Sequence, residues 1–361
     1  MNVLITGAAG FIGSNYALYR RKNNPGDNIL ALDLLTYAGN RANLESLETD
    51  PRFTFIEGSI CDQKLIESIL REHSIDLLVH FAAESHVDRS IVGPDAFIET
   101  NIIGTHELLK SCKRVWIDEN AKTTAHFHHV STDEVFGSLG TQDPAFTEYT
   151  QYAPNSPYAA SKAASDHLVR SYNRTFGLRV TTSNCSNNYG PYQFPEKLIP
   201  LCILNVLAGR PLPIYGDGKQ IRDWLYVDDH CRAIDLVIAQ GSVGDSYNVG
   251  GNNEWANIDL VHLLCALLDS RFQGDTDLAR RFPKSPCAAG IPASTLIRFV
   301  DDRPGHDTRY AINAEKIGSE LNFTLSENFE SGLGITVDWY LDNEAWWKSL
   351  QDRNNIPSAN N

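Results

Sequence analysis

Near its start the chain reads Asn2-Val3-Leu4-Ile5-Thr6-Gly7-Ala8-Ala9-Gly10-Phe11-Ile12-Gly13-Ser14-Asn15-Tyr16-Ala17-Leu18-Tyr19-Arg20. An aliphatic run leads straight into three glycines spaced Gly-x-x-Gly-x-x-Gly, and a helix-forming segment follows. Gly7, Gly10 and Gly13 allow a tight turn and close approach of backbone to a pyrophosphate, to which the helix N-terminus presents unpaired N–H groups and a positive dipole end. The second apolar run ends at Asp33, 20 residues after Gly13, where a carboxylate accepts hydrogen bonds from both hydroxyls of a ribose. A 2′-phosphate would meet like charge there, so the pattern favours NAD over NADP.

Working outward, short β-branched or aliphatic runs recur at 2–6, 28–33, 53–57, 76–81, 126–130 and 178–183, with helix-length segments between most of them. That alternation predicts an α/β fold, a Rossmann-like doubly wound parallel sheet covered on both faces. The segment from Pro94 to Val115 carries Phe97, Ile98, Ile102, Leu108 and Leu109 at near-helical spacing, and Ser156-Pro157 caps a second long helix ahead of Tyr158. Beyond about residue 185 the rhythm breaks into Pro- and Gly-punctuated pieces. The expected division is an NAD-binding domain of 1–188 plus about 219–249, and a smaller, irregular α/β substrate lobe of 189–218 plus about 250–353. Ser246-Tyr247-Asn248-Val249 reads as a late strand returning to the sheet, and 354–361 as a polar, disordered tail.

Composition excludes several classes. Lysine plus arginine total 31 against 45 acidic residues, a formal charge of -14, with no basic block to follow a nucleic-acid backbone. Apolar stretches fall short of a membrane span, and the first residues lack the charged and apolar regions of a secretion signal. The seven cysteines, at 61, 112, 185, 202, 231, 265 and 287, are scattered and contain no Cys-x-x-Cys pair. A reducing cytoplasm is the expected location.

The candidate catalytic residues lie after the fifth run. Tyr158-Ala159-Ala160-Ser161-Lys162 puts a phenol and an ammonium four apart on one helical face. The cation is expected to lower the tyrosine pKa toward the range of a working base. Upstream, the chain reads His129-Val130-Ser131-Thr132-Asp133-Glu134-Val135. Here the residues resemble the extended short-chain dehydrogenase/reductase superfamily, whose Ser/Thr, Tyr and Lys carry out hydride transfer at a carbinol. Thr132 would then bind the substrate hydroxyl, Tyr158 would take its proton, and Lys162 would steady the phenolate and the nicotinamide ribose.

Two adjacent carboxylates, Asp133 and Glu134, go beyond what epimerisation requires. Removing water across C5 and C6 of a hexose needs a base for the C5 proton, made acidic by a ketone at C4, and an acid for the departing C6 hydroxyl. A carboxyl pair can divide those tasks if the surroundings push the two pKa values apart.

The runs Asp33-Leu34-Leu35-Thr36-Tyr37-Ala38-Gly39-Asn40, Ala82-Ala83-Glu84-Ser85-His86-Val87-Asp88-Arg89-Ser90, Asn184-Cys185-Ser186-Asn187-Asn188-Tyr189-Gly190-Pro191, Phe194-Pro195-Glu196-Lys197, Arg222-Asp223-Trp224 and Asp302-Arg303-Pro304-Gly305-His306-Asp307 sharpen the likeness. Over nearly its whole length the chain resembles the dTDP-glucose 4,6-dehydratase family. That resemblance implies Asp133 as the acid and Glu134 as the base at C5. It implies a sugar-nucleotide pocket lined by Ser85, Thr132, Asn187, Lys197, Leu198, Pro213, Ile214, Tyr215, Arg222, Asn257, Asp302, Arg303, Pro304, Gly305 and His306. It also places Phe11, Ile12, Asp33, Leu34, Leu35, Thr36, Phe81, Ala82, Ala83, Glu84, Ser85, Thr100 and Asn188 beside Tyr158 and Lys162 around NAD, and implies a homodimer paired through the two long helices.

Lys197 and Arg222 suit a diphosphate by charge, and arginine can bind one bidentately. His86 and Asp88 have no further ligand at suitable spacing, so no metal is assigned. The chain departs from the family at two places. Ser59-Ile60 stands where the family has Asp-Ile, the Asp touching the adenine amine. The segment 272–297 is long and proline-marked, and is expected to be a surface loop. Alternatives from the sequence are a 4,6-dehydratase or 4-epimerase of another nucleotide hexose, and a non-catalytic NAD-binding regulator.

Overall fold

In the computed structural model, described for residues 1–302 and 306–354, seven parallel strands form the main sheet. In chain order they are β1 (Asn2–Thr6), β2 (Asn28–Asp33), β3 (Phe53–Glu57), β4 (Leu77–His80), β5 (His126–Thr132), β6 (Val180–Cys185) and, last to join, Ser246–Val249. The sheet runs from Ser246–Val249 through β6, β5, β4, β1 and β2 to β3, so the strand order reverses between β1 and β4 and opens a crevice at their carboxyl ends. Strands buried on both faces need continuous apolar runs, which Val3-Leu4-Ile5 and Leu77-Leu78-Val79 supply. The expected late strand does return to the sheet, pairing with β6 through Ser246↔Thr182 to Val249↔Cys185. β5 runs two residues beyond the expected end, because Ser131 and Thr132 pair with Asn184 and Cys185.

The helices on the sheet include α1 (Phe11–Asn23) and α2 (Gln63–Glu72), followed by α3 (Val87–Val92). The segment expected to be one regular helix is helical from Asp95 to Asp118, as α4 (Asp95–Phe97) and α5 (Thr105–Cys112) with π-helical stretches at Ile98–Gly104 and Lys113–Asp118. The first π stretch has a local cause. The Asn101 carbonyl accepts from the hydroxyls of Thr105 and Ser165, both at 2.6 Å, and these compete with the regular helical ladder for that oxygen. α6 (Pro157–Phe176) packs beside it, with Ser156 accepting from the Ala159 N–H as N-cap and Gly177 closing the C-terminus in the left-handed region.

A second core gathers around α7 (Leu198–Ala208), which follows strand β7 (Asn187–Tyr189) and precedes β8 (Leu212–Tyr215) and β9 (Ile221–Tyr226). β7 and β9 form a three-stranded sheet with Glu254–Ala256, and β8 pairs with Ile297–Val300. α8 (Val227–Gln240) returns to the main sheet and packs on α1, whereas α9 (Asn257–Gly274) packs on α7. The 272–297 segment is not a surface loop. It contains α10 (Thr276–Arg281) and two 3-10 turns, and Phe272, Leu278, Phe282, Cys287 and Ala293 are buried in the second core. Apolar side chains at those intervals anchor the segment inward, and its prolines sit at the turns. α11 (Glu315–Leu321) packs against α8, and α12 (Phe329–Asp342) and α13 (Glu344–Asn354) complete the chain. Of the expected polar tail, Asn354 ends α13 and 355–361 lie outside the described residues.

Candidate active site

The crevice at the carboxyl ends of β1, β2, β4 and β5 holds a cavity of about 330 Å³. Its floor is the glycine turn. Gly7 has φ +68, and a Cβ there would lie 2.6 Å from the Ala82 nitrogen; a Cβ at Gly13 would lie 2.2 Å from the Gly7 carbonyl oxygen. Both glycines are therefore required for α1 to start against the strand end with its first N–H groups turned to the cavity. Asp33 at the end of β2 accepts from the Ala9 N–H at 2.9 Å and the Leu35 N–H at 2.8 Å. Burial raises its pKa, and the two backbone donors pull it back. Its oxygens keep further lone pairs for a diol. This combination of a side-chain-free phosphate cradle and a placed carboxylate fits NAD.

The wall carries nearly every residue expected at the cofactor. Gly10, Phe11, Ile12, Leu34, Thr36, Ser59, Ile60, Phe81, Ala82, Ala83, Glu84, Ser85, Thr100 and Asn188 all line the cavity, with Tyr158 and Lys162. Leu35 stands just outside the lining, its backbone in the left-handed region at φ 54. Ser59 uses its hydroxyl to accept from the Cys61 N–H at 3.1 Å.

Thr132 ends β5, and its hydroxyl accepts from the Glu134 N–H at 3.3 Å and donates to Asp133 at 3.4 Å, so Asp133–Phe136 starts as a capped 3-10 turn. Asp133 is buried, and its Oδ2 has no partner among the described residues. Burial first, then Glu134 and Asp223, hold its carboxyl well above the ordinary range, with Arg222 and the Thr132 hydroxyl acting against them. That direction favours the protonated form of the carboxyl. Glu134, half-exposed beside it, also lines the cavity. The turn thus separates two chemically identical groups by their surroundings.

Tyr158 meets this turn from α6. Its phenol is hydrogen-bonded with Thr132, which lowers its pKa, but burial, Glu134 and Cys185 together place it well above the ordinary value. The expected lowering by Lys162 is corrected here. The Lys162 ammonium is buried and donates to the Val130 carbonyl at 2.8 Å, so its charge is directed at the strand end.

The residues expected to bind sugar nucleotide divide into two groups. Ser85, Asn187 and Lys197 line the cavity with Thr132. Arg222, on β9, is buried and acts on Asp133; its guanidinium donates to the carbonyls of Ile221 (2.7 Å) and Asp307 (2.9 Å) and lies 4.3 Å from the Tyr310 ring centre. Leu198, Pro213, Ile214, Tyr215, Asn257, Asp302 and His306 lie outside the cavity lining. Ile214 is turned into the second core, so Pro213-Ile214-Tyr215 offers backbone and the exposed Tyr215 ring. His306 pairs with Asp302 at 2.6 Å. Arg303, Pro304 and Gly305 lie outside the described residues.

Sequence reasoning missed a linked set of side chains in which Tyr37, Phe194 and Glu196 line the cavity. The Arg89 guanidinium covers the Tyr37 ring at 3.9 Å, Tyr37 meets Phe194 edge-on at 5.8 Å, and Glu196 reaches both His86 (3.5 Å) and Arg89 (3.9 Å). All these residues occur in quoted motif runs, but their mutual contacts are tertiary.

A family model described as GDP-mannose 4,6 dehydratase matches residues 4–336. The chain is 52% identical over 351 residues, 97% of this chain and 95% of the other, to a dTDP-glucose 4,6-dehydratase of Xanthomonas campestris pv. campestris (strain B100). It is 51% identical over 357 residues to dTDP-glucose 4,6-dehydratase 1 of Escherichia coli (strain K12), covering 96% and 94% of the two chains. Among solved structures, a dTDP-glucose 4,6-dehydratase of Streptomyces venezuelae with NAD and dTDP bound is 44% identical at a TM-score of 0.84, covering 97% of this chain and 100% of that one. A UDP-glucose 4-epimerase of Thermotoga maritima is 26% identical at a TM-score of 0.79, over 95% and 100%.

Proposed function

The chain belongs to the dTDP-glucose 4,6-dehydratase family of extended short-chain dehydrogenase/reductases, and we propose the following division of labour at its cavity. The enzyme is an NAD-dependent hydro-lyase that converts dTDP-glucose to dTDP-4-keto-6-deoxyglucose and water. The Gly7–Gly13 turn and Asp33 would hold NAD, which when bound would supply the hydride acceptor for C4 and the hydride source for C6. Tyr158 takes the C4 hydroxyl proton while Thr132 holds that oxygen. Lys162 supports the phenolate electrostatically once substrate and cofactor draw it off Val130. Glu134 removes the C5 proton while Asp133 donates its proton to the leaving C6 hydroxyl, and Glu134 gives the proton back to C5 when hydride reaches C6.

The observation that carries this reading is the buried Asp133, whose surroundings push its carboxyl toward the protonated form, next to the accessible Glu134 on one turn beside Tyr158. An epimerase needs only the tyrosine. Lys197 and Arg222 are proposed for the diphosphate, with Ser85 and Asn187 at the sugar; Leu198, the 213–215 strand, Asn257 and the 302–306 segment would meet the nucleotide if the smaller lobe closes. We further propose the cytoplasm as location, a homodimer paired through the Asp95–Asp118 segment and α6, and the division of the chain into an NAD-binding and a substrate domain. Among the described residues no helix is long and apolar enough to cross a membrane.

A panel of nucleotide-linked glucoses, followed by mass, tests reaction and base preference together. The expected outcome is loss of one water from dTDP-glucose with no net NADH. Unreacted sugar or a C4 epimer would overturn the reading.

A further inference from the structure

Asp166 is a charged residue that the reaction scheme leaves unused. It lies on α6 one turn after Lys162 and two turns after Tyr158, and is buried. Four donors from three parts of the chain converge on its carboxylate. His129 Nε2 reaches Oδ1 at 3.1 Å; the Ser131 hydroxyl (2.9 Å), the Tyr152 hydroxyl (2.8 Å) and the Asn184 amide (3.3 Å) reach Oδ2. His129 and Ser131 belong to β5 and Asn184 to its neighbour β6, where it pairs with Ser131. The Asn184 amide also donates to the Thr132 carbonyl at 3.2 Å.

Lys162 contacts the carbonyl of Val130, the residue between His129 and Ser131. Two residues one helical turn apart therefore grip three consecutive residues of β5, immediately before Thr132, Asp133 and Glu134. We propose that Asp166 is a positioning residue for hydride transfer: it fixes the Tyr158–Lys162 face of α6 against the end of β5 and places a permanent negative charge one turn from the Lys162 ammonium. This rests on the functional reading above.

The electrostatics agree with the geometry. Burial works to raise the Asp166 pKa, but His129, Lys162 and Ser131 outweigh it and keep the carboxylate below its ordinary range. Burial lowers the Lys162 pKa, and Asp166 followed by Cys185 opposes that. The titratable groups around the pair are Tyr158 on α6, Tyr152 in the segment before α6, His129 on β5, His80 on β4, Cys185 on β6, and Asp133 and Glu134 on the turn. Both histidines are held neutral by burial, with the Lys162 charge acting in the same direction. Asp166→Asn keeps the side-chain shape nearly unchanged while deleting the charge that most opposes the lowering of the Lys162 pKa. An ammonium that loses such a partner deprotonates at lower pH.

The test is Asp166→Asn in the full chain, compared with Tyr152→Phe, which removes one donor and leaves the charge. Turnover of dTDP-glucose is followed by mass from pH 6 to 10. Asp166→Asn is expected to lower kcat by about 10- to 100-fold with KM changed by less than about threefold, and to move the alkaline limb of kcat down by about one pH unit. Tyr152→Phe should leave that limb in place. A folded, NAD-loaded Asp166→Asn with an unmoved limb overturns the proposal, whether or not kcat falls, since a packing role alone would lower kcat without shifting the profile. If Asp166→Asn does not fold, Asp166→Glu carries the test: the displaced carboxylate should lower kcat at near-constant KM, and an unchanged kcat overturns the role. The unmodified enzyme is the control. Absence of dehydration there would count against the functional reading itself, not against Asp166.

Discussion

The Thr132 hydroxyl donates to one oxygen of Asp133 at 3.4 Å, while the other oxygen, Oδ2, is buried with no partner among the described residues. That setting favours the protonated carboxyl. Its pKa is raised on folding, so between the ordinary carboxyl value and the raised one the folded chain holds a proton that the unfolded chain has released. Stability from this site is complete below the ordinary value and falls as pH rises, by up to about 1.4 kcal/mol per pH unit. Asp133→Asn should remove that slope, raising Tm at pH 7 to 8 by a few degrees and leaving it nearly unchanged near pH 4. Thermal unfolding across pH checks this, and parallel pH curves for the two proteins would contradict it.

Glu134→Gln removes the proposed C5 base and leaves the C4 proton acceptor. Dehydration should fall at least about 100-fold. In a single turnover NADH absorbance should then rise and persist on the enzyme, because the step that consumes it is blocked. Adding Asp133→Asn should not restore elimination. Dehydration at the ordinary rate in the double variant would remove both residues from the chemistry.

Gly13→Ala tests the cradle. The added methyl group would meet the Gly7 carbonyl at 2.2 Å and push α1 off the strand end. NAD retained through gel filtration should drop by at least about tenfold, the loss expected when one or two good backbone hydrogen bonds to a phosphate are misdirected. Retention at the level of the unmodified enzyme would mean that this turn does not hold the pyrophosphate.

Ser59 spends its hydroxyl on the Cys61 N–H. Ser59→Asp can keep that contact and add a charged acceptor facing an amine, so NAD affinity should rise by about tenfold. Cofactor titration of the stripped protein measures it. Unchanged affinity would show that the adenine end of the site does not depend on position 59.

The sheet was legible because its strands are buried on both faces and so appear as uninterrupted aliphatic runs, Val3-Leu4-Ile5 being one example. Asp33 and the glycine turn were legible because their spacing is local. The π-helical stretch around Asn101 was not, since it arises where the Thr105 and Ser165 hydroxyls share one carbonyl. The burial of 272–297 was obscured by its prolines, which describe turns and say nothing about which face is covered. Lys162 shows the limit most clearly: spacing from Tyr158 gave the right neighbour, but its present hydrogen bond is set by the end of β5.

The linked side chains of Tyr37, Arg89, Phe194 and Glu196, three of which line the cavity, bear on how the enzyme meets the cell. Their contacts come from three separate segments, so release of a dinucleotide past this part of the cavity wall would require several side chains to part together. A cofactor oxidised again before each cycle ends has no need to leave. Such an enzyme would carry its own oxidant from one turnover to the next, and the flow of deoxysugar would be insulated from swings in the cell's ratio of oxidised to reduced nicotinamide.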